Sequence, residues 1–469
     1  MADLWRLSAT ELAAGIRNRE YTAVEVLDSV LARVDEHNPR LNAITYDCST
    51  TARAEAEAAD AALAAGDAVG ALHGVPVTIK ENVDQAGTPN TNGIPALADL
   101  MAEEDCPLVS NLRGAGAVII GRTNTPEFSM RATTDNPLRG RTINPWDDEA
   151  SPGGSSGGAG VAAAMGFGPL HHGNDIGGSL RFPSFANGAI TVKPSSFRVP
   201  VFNGTASAER ALLASTMSSQ GIIARTAADV RLATSVMIGP DPRDPNHVPL
   251  PWDGPPVDGP LTVAVTTEPG PYPIHDGIVA LVERTAAMLE DAGYRIVRID
   301  PPPVHDGARE WFRAGVTELA ATLGPAVAEM GSETIKQVFE WYYQLGELLG
   351  HDDYMQALAD RTRYLREWSL FLDQYPLLLT PFLMRPLYDW DFDAVSFESL
   401  KDTFDAAAYS LGTNYLGLPS GVLGIDLVGD RPAAVQLVGR RYREDLICDA
   451  MEAVQARNGL LTDRLWARS

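Results

Sequence analysis

Three side chains stand out as able to do chemistry together: Lys80, Ser155 and Ser179. Lys80 ends Gly74-Val75-Pro76-Val77-Thr78-Ile79-Lys80. Ser155 sits in Ser151-Pro152-Gly153-Gly154-Ser155-Ser156-Gly157-Gly158, and Ser179 closes Asp175-Ile176-Gly177-Gly178-Ser179. A hydroxyl is a weak nucleophile until a base removes its proton. Two glycine-flanked hydroxyls and a lysine supply both parts without histidine or metal. Lysine is a base only when neutral. Its reference pKa of about 10.4 must fall by roughly three to leave it half neutral near pH 7.4. Burial does this. Glu81 would oppose it by pointing inward, so it is expected to point away.

Other readings of the same residues are weaker. Gly153-Gly154-Ser155-Ser156-Gly157 matches the nucleophile-elbow pattern, but that motif follows a strand. Here it follows the loop-like Asn144-Pro145-Trp146-Asp147. No Lys-Ser/Thr follows the glycines, so it is not a phosphate-binding loop. His171-His172 offers an alternative base and invites a metal, yet no acidic cluster or third histidine lies at ligand spacing. No metal and no cofactor are expected. Cys48, Cys106 and Cys448 are odd in number and far apart, which argues against a disulfide framework and for a reducing compartment.

Taken together, these strings closely resemble the amidase signature family. The likeness runs through Gly-Val-Pro-Val-Thr-Ile-Lys80-Glu-Asn, Gly121-Arg122-Thr123-Asn124, Asn144-Pro145-Trp146, residues 151–158 and residues 175–183. It ends in Gly417-Leu418-Pro419-Ser420 and Val435-Gln436-Leu437-Val438-Gly439-Arg440. The resemblance implies an amidase with Ser179 as acyl-accepting nucleophile, Ser155 as bridging hydroxyl on a cis peptide after Gly154, and Lys80 as distal base. Lys80 then takes the proton of Ser155 while Ser155 takes that of Ser179. Run backwards, the relay protonates the leaving nitrogen. Backbone N–H groups of Ile176, Gly177, Gly178 and Ser179 form a nest for the oxyanion. Asp175 and Arg181 are expected to hold that loop. Ser156 either joins the relay or caps the next helix. Two positions depart from the family: Asn174, where Thr is common, and Phe197, in a loop where a Gly-Arg pair is usual.

These residues need a scaffold. The chain has 469 residues, 45% hydrophobic and 21% charged, enough for a large core. Ser8 with Glu11 and Thr22 with Glu25 match capping boxes, so residues 1–66 read as a helical arm of three helices, the last stopped by Gly66. Strands are expected at residues 76–80, 117–120 (broken by Gly121), 261–266, 294–299, 377–380 and 433–437. Small residues at 157–165 read as a helix, and helices fill the other gaps. This alternation predicts an α/β fold: one large mixed β-sheet covered by helices on both faces. A single domain is expected over 1–469, with a helical insert at about 301–395 after Pro301-Pro302-Pro303.

The formal net charge is −24, from 61 acids and 37 bases. Such a surface repels phosphate backbones and anionic membranes, so neither nucleic acid nor membrane is an expected partner. The start of the chain lacks a signal-peptide pattern and no long apolar run is present, so a cytoplasmic location is expected. A homodimer is left open. Aromatic residues of the insert, Trp311, Tyr342 and Tyr388 among them, suggest an apolar pocket for aryl or acyl amides, with aryl esters, anilides or carbamates as further substrates. Most of these rings are expected to form the insert's own core. Residues 128–131, with Ser129 and Met130 foremost, and residues 205–206 are assigned to the acyl side. Two rival readings are a glutamine-hydrolysing subunit of a tRNA-dependent amidotransferase and a non-catalytic scaffold. The acidity and aromatic insert weigh against the first, and the three intact side chains against the second.

Overall fold

Lys80 ends a strand whose five residues are all buried, and that strand lies inside a single sheet. The computed structural model describes residues 3–257, 259–268 and 270–468. Its sheet has 11 strands: β1 (Ile44–Asp47), β2 (Pro76–Lys80), β3 (Val118–Thr123), β4 (Leu170–Asp175), β5 (Ile190–Lys193), β6 (Ser219–Ala224), β7 (Thr262–Val265), β8 (Arg295–Arg298), β9 (Leu377–Pro381), β10 (Ser420–Val428) and β11 (Arg431–Gly439). Their order is β1-β3-β2-β4-β6-β5-β10-β11-β9-β7-β8. β2 runs parallel to β3 and β4, whereas β4 with β6 and β10 with β11 are antiparallel. The sheet is therefore mixed, with helices around it, as the sequence leads one to expect.

The helical arm follows its caps. Ser8 and Thr22 each accept a hydrogen bond from the backbone three residues on, and Glu11 and Glu25 return it. The helix Ser49–Ala65 ends at left-handed Gly66. Sequence reading missed β1, a four-residue strand between two of these helices. It also ended the third strand too early. Gly121 does not break β3, which runs on to Thr123. A side chain at 121 would meet Ile44 Cγ2 at 2.6 Å, so the missing Cβ lets β1 lie alongside. β4, β5 and β6 were also overlooked. Buried on both faces, they carry no alternation of apolar and polar residues.

Two large apolar clusters fill most of the interior, beside a small third one of Ala159, Ala163, Leu180, Ala189 and Ile223. The larger packs the arm and the Glu444–Asn458 helix against the sheet. The second large cluster is aromatic and joins the helices between Val304 and Gln374 to Phe404, Tyr409 and Tyr415. It holds most of the rings singled out in the sequence. The segment Trp311–Gly315 is π-helical, a form often found beside functional sites.

Candidate active site

Strand alternation puts Thr78 and Lys80 on the same face of β2. Neighbouring β4 presents His171 beside Thr78, with 2.8 Å between His171 Nδ1 and Thr78 Oγ1. Two residues further along β4 comes Gly173. A Cβ there would lie 2.7 Å from Ser156 Oγ, so glycine clears the space beside Lys80 that the Ser155-Ser156 loop enters. That loop is equally tight at Gly154, where a Cβ would sit 2.3 Å from the carbonyl oxygen of Arg131. The Gly154–Ser155 peptide is cis.

Lys80 has no exposed surface. Its Nζ lies 2.7 Å from Ser155 Oγ, 3.0 Å from Ser156 Oγ and 2.8 Å from Asn174 Oδ1. Burial pushes its pKa well below the usual lysine value, with only the Asp175 charge working the other way. The end of β2 is fixed by buried Arg122, which donates from Nη2 to the Lys80 carbonyl at 3.1 Å. Glu81 is buried but turned away from the amine. It accepts from Thr45 at 2.9 Å, Thr91 at 2.8 Å and Arg139 Nη2 at 2.5 Å.

Asp175, at the end of β4, organises the following loop. Its Oδ1 accepts from the Gly178 N–H at 2.8 Å and its Oδ2 from the Leu180 N–H at 3.1 Å. Arg181 grips both oxygens, at 2.9 and 3.0 Å. Both side chains are wholly buried. Burial alone would raise the Asp175 pKa, but the charge and hydrogen bonds of Arg181, with Lys193 and Asn414, hold it down to about 2. Arg181 also donates to Thr413 Oγ1 and Gln436 Oε1, each at 2.8 Å. Outside this core, Trp311 Nε1 donates to the Ile176 carbonyl at 2.7 Å, and Ser410 Oγ to the Gly177 carbonyl at 2.9 Å. The loop is thus held through its carbonyls. The Gly178 N–H, one of the four donors expected of an oxyanion nest, is already bonded to Asp175.

Ser179 is partly exposed and lines a small cavity open to the surface. Gly154, Ile176 and Gly177 share its floor, and Ser156 N–H donates to the Ser179 carbonyl at 3.1 Å, tying the two serine loops together. Phe182, Trp311, Tyr342 and Phe404 give the lining its aromatic part, and residues 129–132 continue it, with Tyr342 Oη donating to the Met130 carbonyl at 3.1 Å. Ser129 and Met130 therefore line the cavity, although the Ser129 hydroxyl is engaged with Asn82, Asn92 and Thr125. Thr205 and Ala206 are absent from this lining, as is Phe197. Thr205 bonds to Asp84 at 2.6 Å instead. Neither Phe404 nor Asn82 was singled out in the sequence. Phe404 carries no motif, whereas Asn82 follows two residues after Lys80 and was open to scrutiny.

The paired histidines serve the sheet. His171 Nε2 lies 3.0 Å from the Gly168 carbonyl, and His172 Nε2 lies 2.9 Å from Gln220 Oε1. Burial drives both pKa values to about 3, so both rings are neutral at ordinary pH. Among the described residues no group of three or more His, Cys, Asp or Glu side chains is placed to hold a metal. No helix of the described residues is long and apolar enough to cross a membrane.

Comparison with known proteins agrees with this geometry. The family model described as Amidase matches residues 25–448. Indoleacetamide hydrolase of Bradyrhizobium diazoefficiens is 44% identical over 464 residues, 99% of this chain and 88% of that protein. An acylamidase of Rhodococcus erythropolis is 31% identical, over 94% of this chain and 93% of its own. The crystal structure of a bacterial aryl acylamidase of the amidase signature family superposes with a TM-score of 0.83, at 24% identity and 98% coverage of both chains. A match across nearly the whole chain, joined to relatives that are themselves amidases, places this chain in the amidase signature family as an amidase acting on C–N bonds.

Proposed function

We propose that this amidase hydrolyses a small aromatic carboxamide, of the arylacetamide kind, through an acyl-enzyme on Ser179. The observation that carries the reading is the 2.7 Å contact between buried Lys80 Nζ and Ser155 Oγ, set beside a cavity onto which Ser179 opens. A lysine kept neutral by burial takes the Ser155 proton, and Ser155 takes that of Ser179. Ser179 Oγ attacks the carbonyl carbon. The developing oxyanion is received by the N–H groups of Ile176, Gly177 and Ser179, each such donor lowering the barrier by about 2.7–4 kcal/mol. As the C–N bond breaks, the relay returns its proton to nitrogen and the amine departs. Water then follows the same path, its proton going to the relay and its oxygen to the acyl carbon, and the acid leaves.

The substrate class follows from the wall. Phe182, Trp311, Tyr342 and Phe404 offer ring faces and edges to a flat apolar group. The cationic residue of the lining, Arg131, is already bonded to Asp391 at 2.6 Å and Asp393 at 2.7 Å, so it has no charge left for the carboxylate of an amino acid. This speaks against glutamine as the substrate. Similarity to an indoleacetamide hydrolase supports the aryl reading. A panel of arylacetamides, anilides, aliphatic amides and glutamine tests it, together with fluorophosphonate labelling and peptide mapping. We expect arylacetamides to be preferred and the label on Ser179. Preference for glutamine or short charged amides would sink the substrate class, and a label on Ser155 would exchange the two serines.

A further inference from the structure

The contacts of Lys80 define a valence problem with one solution. A neutral amine has two N–H bonds and one lone pair, and the Lys80 nitrogen meets three oxygens at 2.7–3.0 Å. Asn174 Oδ1 is a carbonyl oxygen and only accepts. Its orientation is set by its neighbour: Asn174 Nδ2 donates to Asn82 Oδ1 at 2.9 Å, and Asn82 Nδ2 donates both to Asn174 Oδ1 at 3.2 Å and to Ser129 Oγ at 2.9 Å. The Ser156 hydroxyl directs its hydrogen at the Asn174 main-chain carbonyl, 3.4 Å away, and its oxygen accepts the Asn174 N–H at 3.4 Å, which leaves one lone pair to accept from Lys80. Both N–H bonds are then taken. What remains facing Ser155 is the lone pair.

We propose that Asn174 is a positioning residue that sets the direction of proton flow at Lys80. Its side-chain carbonyl holds one N–H of the neutral amine and so turns the amine's lone pair onto the Ser155 hydroxyl. The proposal rests on the reading of Lys80 as base. It gives the departure from the usual threonine a chemical purpose, and makes Asn82 and Ser129 its anchor against the cavity rim.

Substituting Asn174 tests this cleanly, because the other charged groups around Lys80 stay put. Asp175 is clamped by Arg181, His172 is neutral against Gln220, Arg122 lies on the Lys80 carbonyl, and Glu81 faces Arg139. Asn174→Asp sets a carboxylate against Nζ and holds it as an ammonium, which has no lone pair. We measure the rate of Ser179 labelling by a fluorophosphonate from pH 5 to pH 10, with peptide mapping. Activity needs the neutral amine, so the rate rises with pH in the wild type. In Asn174→Asp the midpoint of that rise moves up by at least about one pH unit, and labelling at pH 7 falls by about tenfold or more. Asn174→Ala, which leaves Nζ an acceptor short, lowers the plateau by about five- to tenfold. A merely structural asparagine would lower the melting temperature in Asn174→Ala while leaving its plateau at the wild-type value. Superimposed wild-type and Asn174→Asp profiles, or a wild-type plateau in Asn174→Ala, overturn the proposal while Ser179 is still labelled. A wild-type protein labelled elsewhere overturns the Ser179 reading first.

Discussion

At the strand ends, Lys80, Ser155, Ser156, Asp175 and Arg181 are each no more than 1% exposed, and their polar atoms sit in a closed set of hydrogen bonds. Across the cavity, Trp311, Phe312, Tyr342 and Phe404 are nearly as buried but meet through ring contacts, 5.0 Å between Trp311 and Phe312 and 5.7 Å between Tyr342 and Phe404. The outer surface of these helices is looser still, with Leu370 67% and Met355 52% exposed. Hydrogen bonds to buried charges are directional, and losing one partner strands the other. Ring packing has no single obligatory geometry and tolerates substitution of similar volume. The contrast teaches where change can accumulate: the strand ends admit little substitution, while the helical wall can change shape without breaking a hydrogen-bond network.

The largest effects should fall on the strand side. Ser179→Ala is expected to lower turnover of an arylacetamide on the order of 10⁴-fold or more, with Lys80→Ala close behind and Ser155→Ala slightly less severe. Steady-state rates decide this, and near-normal turnover in Ser179→Ala would overthrow the whole contrast. Next comes Arg181→Met. It leaves Asp175 as an uncompensated buried carboxylate, at about 3–5 kcal/mol of stability. The sign with pH can be checked. Asp175 has a depressed folded pKa, so its contribution is present above the ordinary value near 3.9 and is lost as pH falls towards about 2. Urea unfolding at pH 7 should therefore show the variant well below the wild type, with the gap closing in acid. Equal midpoints at pH 7 would mean that the pair is replaceable, like a residue of the wall.

This division also explains what the sequence made legible. Lys80, Ser155, Ser179 and the Asp175-Arg181 pair lie in short strings of glycine, serine and charge, so type and spacing expose them. The helical arm was equally plain, because capping boxes at Ser8 and Thr22 are local signals. β4, which carries Asn174 and Asp175, was missed because His171-His172-Gly173-Asn174 reads as neither an apolar run nor an alternating one. Its stability comes from β2 and β6 on either side. The cavity wall was hardest. Phe404 stands far from the motifs in sequence, and among many aromatic residues after Pro303 nothing local separates Trp311 and Tyr342, which line the cavity, from Phe339 and Trp368, which fill the core. That information lies in the packing of distant segments. The consumed Gly178 N–H is of the same kind, since only the fold brings Asp175 Oδ1 to it.

Trp311 belongs to both regions, and it supplies the finest test of their separation. Its ring lines the cavity and lies against Phe404, at 6.4 Å and nearly parallel, as part of the wall. Its N–H reaches the Ile176 carbonyl at 2.7 Å, fixing the plane of the peptide that presents the Gly177 N–H. Trp311→Phe keeps an aromatic surface and deletes only that donor. Losing one such hydrogen bond is worth about 1 kcal/mol, so kcat should fall about fivefold while KM for an arylacetamide changes little. If instead KM rises and kcat holds, Trp311 acts solely as wall, and the helical layer has no hand in the chemistry. A fall in kcat alone would show that the aromatic side reaches into the catalytic loop through a single indole N–H.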